Sequence, residues 1–308
     1  MGALTDSDKL KAKERVFEKL GISNKSVTLD VDLLKDWMAK HPYFPNVDHL
    51  NLDTWLENQI IMAKNSLEKT KGNIEKYFCI RGMCPELFEN RDVMESSLSL
   101  SYETLTISYL PGVTDRLHKV CMVRIEDQPV ENFQFEPIIK RCLLAIEYYL
   151  KEGIYFTGFH LVFDLQHLKL NHLGAFKLSL MRYMSLSMKA FPFSMAVTGL
   201  MNCPPFIEKA ISLFKPFISS KLYSRIVIIK DIDALKEVIG DVKLPSDYCS
   251  DNSISQKEYS DAMKLNFHRI KDYILCCDKV KCDKNFNDLK STSAESEMFG
   301  TFRALTLD

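Results

Sequence analysis

Three histidines, an aspartate and a late group of cysteines are the residues whose types and spacing could do chemistry in this chain. His160, His167 and His172 surround Asp164, and imidazoles with a carboxylate can hold zinc or pass a proton. Their spacing does not place two imidazoles on one helical face, so satisfied or surface histidines are expected. Asp164 ends an apolar run, where α/β folds often bind ligands, yet a carboxylate that holds a loop or starts a helix is the simpler expectation. Cys276, Cys277 and Cys282 stand near aspartates, but adjacent thiols lack the paired spacing that closes a tetrahedral zinc site. The sequence contains no Gly-x-Ser-x-Gly elbow, no Gly-x-x-x-x-Gly-Lys-Ser/Thr phosphate loop and no Gly-x-Gly-x-x-Gly turn. Three common enzyme classes lose their main support. No catalytic residue, metal or cofactor is expected.

Another stretch draws attention for the opposite reason. "NCPPFIEKAISLFKPF", residues 202–217, gathers Phe206, Ile207, Ala210, Ile211, Leu213, Phe214, Phe217 and Ile218 on one broad side of a helical wheel turning about 100° per residue. Glu208, Lys209, Ser212 and Lys215 take the other side. Pro216 removes a helix hydrogen bond and disfavours a helical Lys215, so the segment should kink or restart there. Lys221 and Arg225 follow, four apart and on one face if a second helix continues. Basic beside oily is the composition of a membrane-surface contact, whereas an ordinary crossover helix packed on a sheet has the same apolar stripe.

Positioning such a helix requires a scaffold, and the chain has material for one. Its 308 residues are 46% hydrophobic and 26% charged, as in a globular protein of one large or two moderate domains. A formal net charge of -1 argues against a nucleic-acid carrier, which needs a net basic face. Nine scattered cysteines, an odd number, read as reduced thiols in a cytoplasmic compartment. Asp6 stands where a myristoylation signal wants Ser or Thr, and no apolar run is long enough to span a bilayer.

From Asp6 to about Phe88 the periodicity is helical throughout, with apolar stripes such as Trp55, Leu56, Ile60 and Ile61,. After a polar stretch at 95–101 the pattern changes. Residues 105–109, 120–125, 159–163, 195–201 and 225–229 read as strands, and 137–150, 173–189, 204–214 and 232–239 as helices. Strands alternating with helices predict a mostly parallel sheet with right-handed crossovers. The domains expected are a helical N-terminal domain at 1–95, an α/β domain at 96–250, and a polar C-terminal extension at 251–308. In that extension Met298 to Phe302 is apolar enough to dock back on the body.

The stretch "FPFSMAVTGLMNCPPFIEKAISLFKPFISSKLYSRI" with "DIDALKEVIGDVKLPSDY" resembles the core of the CRAL-TRIO lipid-binding family, to which the retinaldehyde-binding and α-tocopherol transfer proteins belong. "EKYFCIRGMCPELFENRD" at 75–92 is similar to the end of that family's helical N-terminal domain, and "FHLVFDL" at 159–165 to its central strand. "FGTFRALTLD" at 299–308 resembles the tails of insect members. The resemblance implies a sheet flooring a closed apolar pocket, with the helix of 204–214 as a lid that opens at a membrane to exchange one lipid. It also implies a phosphoinositide head group held beside the lid, for which Arg81, Lys221 and Arg225 match basic positions. Two further such positions are Ser194 and Ala196 here, which subtracts charge. Turns differ as well: Gln166-His167 and Cys249-Ser250 replace acidic-Gly and Gly-Gly pairs, and Ile61-Met62-Ala63 stands where an Arg-rich stretch is common.

These strands of reading converge on a non-enzymatic intracellular carrier for a small hydrophobic ligand: a retinoid, tocopherol, carotenoid or other lipid. Its partners would be that ligand and, transiently, an anionic membrane. The expected pocket wall is Cys142, Ala145, Ile146 and Tyr149 from one helix, Phe163 from a strand, Phe176, Leu180, Tyr183 and Leu186 from the next helix, and Ile207, Ala210, Ile211 and Phe214 from the lid. Tyr149, Tyr183 and Cys142 are the groups expected to meet a ligand oxygen. A cavity wall and a solid core share one periodicity, so the alternative is a lipid-regulated or ligand-empty interaction scaffold with the lid permanently packed.

Overall fold

Six helices precede the sheet, the first five being α1 (Asp6–Leu20), α2 (Asn24–Ala39), α3 (Leu52–Met62), α4 (Leu67–Met83) and the single turn α5 (Pro85–Phe88). The structure, a computed structural model, describes residues 6–191, 193–250 and 254–282. Ser23 and Ser26 form a capping box that starts α2, satisfying backbone donors left free at a helix N-terminus. Leu34 of α2, Trp55, Leu56 and Ile60 of α3, and Ile74 and Phe78 of α4 lose nearly all exposure. Trp55 meets Tyr77 edge-on at 5.2 Å between ring centroids, and Tyr77 meets Phe191 at 5.5 Å. The helical core therefore runs without a break into the body.

The polar stretch at 95–101 is no linker. It winds into α6 (Ser96–Thr104), which leads directly into β1 (Leu105–Tyr109), because Leu98 and Tyr102 recur on one side and are buried,. β2 (His118–Ile125), α7 (Phe135–Glu152), β3 (Gly158–Asp164), α8 (Leu178–Ala190), β4 (Met195–Met201), α9 (Ile207–Phe214), α10 (Ser220–Tyr223), β5 (Ile226–Ile229) and α11 (Ile232–Ile239) follow. The sheet order is β1-β2-β3-β4-β5. β1 is antiparallel to β2, and the remaining pairs are parallel. The α/β architecture and mostly parallel sheet expected from the periodicity are thus observed. Asp231 caps α11 by accepting from the Ala234 amide, and Gly240, at φ 65°, ends it in a conformation that costs a residue with a Cβ more.

The segment after 250 carries more structure than its polarity suggests. α12 (Gln256–Arg269) and α13 (Lys271–Asp278) begin at a capping box of Ser255 and Glu258. α12 lies along β1 and touches α7, so Tyr259, Met263 and Phe267 are buried and cover the sheet edge. The apolar pair Met298 and Phe302 lies outside the described residues.

The two faces of the sheet differ. On one, Val120, Met122, Val162, Met201 and Ile229 pack with Leu235 and Ile239 of α11, and none of these keeps more than 3% of its surface. On the other, β3 alternates: His160, Val162 and Asp164 are closed, while Leu161 and Phe163 between them stay half-buried. A central parallel strand ordinarily loses both faces to packing.

Candidate functional site

The half-buried side chains on that second face collect under α7, α8 and α9. β-strand alternation puts Tyr109, Leu161, Phe163, Thr198 and Ile226 on it,; a register shift between Phe159 and His160 brings Met195 to the same side. All six keep partial exposure. Above them α7 presents Cys142, Ile146 and Tyr149, four and three residues apart and so on one helical face, each half-buried although its neighbours Leu143, Leu144 and Ala145 are closed. Tyr109, Cys142 and Tyr149 lie deep inside the protein, where burial pushes their phenol and thiol pKa values up. Deep side chains with uncontacted surface border an internal space.

The expected wall residues sort themselves by this geometry. Cys142, Ile146, Tyr149, Phe163, Phe176, Leu180, Leu186, Ile207 and Ile211 are all partly buried against the same core. Phe214 is half-buried too, and its ring meets Phe176 at 4.8 Å. Phe176 is not on α8, as the periodicity suggested, but in the link after a 3-10 turn at Leu170–Ala175; it continues to Phe135 at 4.5 Å. These three rings join α9 to the start of α7. Ala145 is fully closed and Ala210 is 5% exposed, so both sit behind the open surface. Tyr183 departs further: its ring touches the core, but its hydroxyl is drawn to Glu86, whose charge raises the phenol pKa. Tyr109, Leu161, Met195, Thr198 and Ile226 were missed, although strand alternation from Phe163 points to Leu161.

The lid segment breaks where Pro216 predicts. α9 ends at Phe214, a 3-10 turn spans Lys215–Phe217, and Ile218 is extended. Phe217 is buried and Leu213 is 36% exposed. α10 ends at Tyr223, so Lys221 and Arg225 do not share a continuing helix. Lys221 is exposed; Arg225 donates to the Met195 carbonyl.

Arg81 is a correction to the basic patch. It is 2% exposed and pairs with Glu147 of α7 at 2.5 Å, which also accepts from Tyr77. Arg81 donates to the carbonyls of Val280, at 3.0 Å, and Cys277. Arg91 pairs with Asp278 at 2.6 Å. Burial opposes the Arg81 charge, and Tyr77, Glu147 and Cys277 outweigh it, raising its pKa above the ordinary arginine value. This arginine clamps α4 to α7, to α13 and to the chain just after it, a partner set that sequence spacing cannot reveal, and it has no surface to offer a head group.

Asp164 is also structural, accepting from Tyr248, Asn202 and the Gln166 amide. His172 accepts from the Lys169 amide, and His160 meets His118 at 3.1 Å between ring nitrogens. No group of three His, Cys, Asp or Glu side chains suited to a metal occurs among the described residues.

Comparison with known proteins agrees with the geometry. Residues 104–248 match the CRAL/TRIO domain and residues 23–98 the Pinta-like, UBA domain. The chain thus carries a CRAL/TRIO domain at residues 104–248, of a family whose members bind and transfer lipophilic ligands. The crystal structure of Sfh5 is similar over 78% of this chain and 92% of that chain, with 12% identity and a TM-score of 0.51, a likeness of fold. No curated protein matches the chain. Among the described residues no helix is long and apolar enough to cross a membrane.

Proposed function

We propose that this protein is a cytoplasmic carrier that encloses one small hydrophobic molecule between the sheet and helices α7, α8 and α9. The observation that carries the reading is the alternation of β3, the middle strand, with Leu161 and Phe163 half-open while His160, Val162 and Asp164, pointing the other way, are closed. Filling that space with a ligand would bury apolar surface at about 25 cal/mol per Å² before ordering costs. α9 acts as the lid, hinged at the break around Pro216 and latched by Phe214 on Phe176. Leu213 and Tyr223, both exposed, with Lys215 over the Tyr223 ring and Lys221 two residues before it, form the face that meets an anionic membrane during exchange.

Native mass spectrometry of freshly purified protein tests the first claim. A stoichiometric lipid mass is expected, identified after extraction; repeated absence of ligand with no uptake from mixed lipid extracts would favour the scaffold. For the lid, a disulfide between cysteines placed at Phe176 and Phe214 should stop transfer between vesicles when oxidised and restore it when reduced. Equal transfer rates in both states would put the lid elsewhere.

A further inference from the structure

The open face carries a basic side chain at one end. Lys119, near the start of β2, alternates to the same side as Cys121 and Val123,. Its register partner on β3 is Phe159, whose ring meets Phe156 at 4.8 Å and Phe193 at 5.1 Å. Cys121 pairs in register with Tyr109 of β1, and the Tyr109 ring meets the Tyr149 ring of α7 at 5.9 Å. A cation on a long stem thus stands among phenylalanine rings, phenols and a thiol.

The fold supplies no counter-charge for it. Lys119 has no ion pair among the described residues, and its hydrogen bond to the Gly112 carbonyl, in the turn between β1 and β2, is long at 3.4 Å. Burial holds its ammonium pKa down to about 8, with the Cys121 thiol pulling the other way. The amine is enclosed, yet Lys119 keeps part of its surface, the same combination that sets Tyr109, Cys142 and Tyr149 beside the internal space. The titratable groups of this end, Tyr109 of β1, Cys121 of β2, and Cys142 and Tyr149 of α7, are all kept neutral, because burial raises each pKa,. Arg141, next to Cys142, is committed elsewhere: its Nη1 donates to the carbonyls of Ser101, at 2.6 Å, and Leu105, at 2.8 Å, and its guanidinium lies 3.8 Å from the centre of the Tyr102 ring. An enclosed ammonium without an anion is costly.

Resting on the carrier reading, we infer that Lys119 determines the specificity of the cavity, and that its ammonium receives a singly charged acid head, a carboxylate, on a long apolar body. The carboxylate supplies the missing counter-charge through a charge-assisted hydrogen bond. A phosphate head with two charges would bring one that a single ammonium does not match, and an uncharged head would leave the ammonium enclosed without an anion.

Oleate, methyl oleate and oleyl phosphate share one chain and differ in the charge of the head. Titrated below their micellar concentrations into the full chain at pH 7, oleate is expected to bind about tenfold more tightly than the ester or the phosphate. Lys119→Met, which keeps the stem and removes the charge, should bring oleate down to the level of the ester and leave ester binding unchanged. Lys119→Arg should retain most of the preference. In the unaltered protein Lys119 is charged below its pKa of about 8 and neutral above it, so oleate affinity should fall about fivefold from pH 7 to pH 9 while ester affinity stays level; the Met variant should lose that fall. Oleate binding no more tightly than the ester, unchanged oleate binding in Lys119→Met, or tightest binding of the phosphate would each overturn the inference and leave the carrier standing. Failure of all three to bind, in a protein that also takes nothing from lipid extracts, would remove the carrier reading and this inference together.

Discussion

The two faces of the sheet are built from the same five strands, with apolar side chains alternating to either side, yet along β3 one side is closed and the other stays half-open. Val162 and Met122 meet Leu235 and Ile239 of α11 and lose essentially all exposure. Leu161 and Phe163, one residue along the same strand, remain half-buried under α7, α8 and α9. Strand chemistry therefore does not decide whether a face becomes core or cavity wall. The distance at which the covering helices are held decides it, and here those helices are held by other contacts: α8 packs on α4, and α9 leans on Phe176.

The largest difference between the faces should appear on truncation. Leu235→Ala, on the closed face, is expected to cost about 2 to 5 kcal/mol because it opens a void in packed core. Phe163→Ala should cost about 1 to 2 kcal/mol in the ligand-free protein, since part of its surface already borders space. Denaturant titration of both variants measures this, and equal losses would erase the distinction.

Ala210→Trp sharpens the comparison at the lid. In solid core such overpacking costs about 1 to 3 kcal/mol. The expected outcome is lost ligand uptake with little change in ligand-free melting, because the new ring can extend from behind the wall into the open space. A large fall in melting temperature with uptake retained would mean a packed lid.

Acid should probe the closed face. His118 shares its side with His160, and burial first, then the charges of His160, Lys19, Arg116 and Lys64, hold the His118 pKa down at about 4. The unfolded chain takes up that proton near pH 6.5, so stability falls as pH drops from about 6.5 to about 4. About 1 kcal/mol is expected after solvent screening. His118→Asn should flatten the fall between pH 7 and pH 5, and an unchanged slope would clear the pair of this role.

The smallest effect concerns the membrane side of the open face. Lys221→Ala should weaken sedimentation with anionic vesicles at low salt by up to about 1 kcal/mol, fade at physiological salt, and leave ligand affinity intact. With Arg81 buried and Ser194 and Ala196 uncharged, only a modest preference for phosphoinositides over phosphatidylserine is expected. Unchanged vesicle binding would move the contact away from Lys221.

Hydrophobic periodicity and turn residues were enough for the five strands, the crossover helices and the break at Pro216, because those depend on local backbone chemistry and on which side each residue faces. Cys142, Ile146, Tyr149 and Phe163 could be placed on one side of their elements for the same reason. The sequence could not tell Tyr149, which lies deep against the strands, from Tyr183, whose phenol pKa is raised by the charge of Glu86, since each is a tyrosine on an amphipathic helix. Nor could it show that Arg81 leaves the surface, because Glu147, Cys277 and Val280 are remote in sequence and meet it only when α4, α7, α13 and the residues just after it converge. Patterning along the chain determined which residues turn inward; only the packing of distant elements decided which of them would find a partner, and which would be left facing a space.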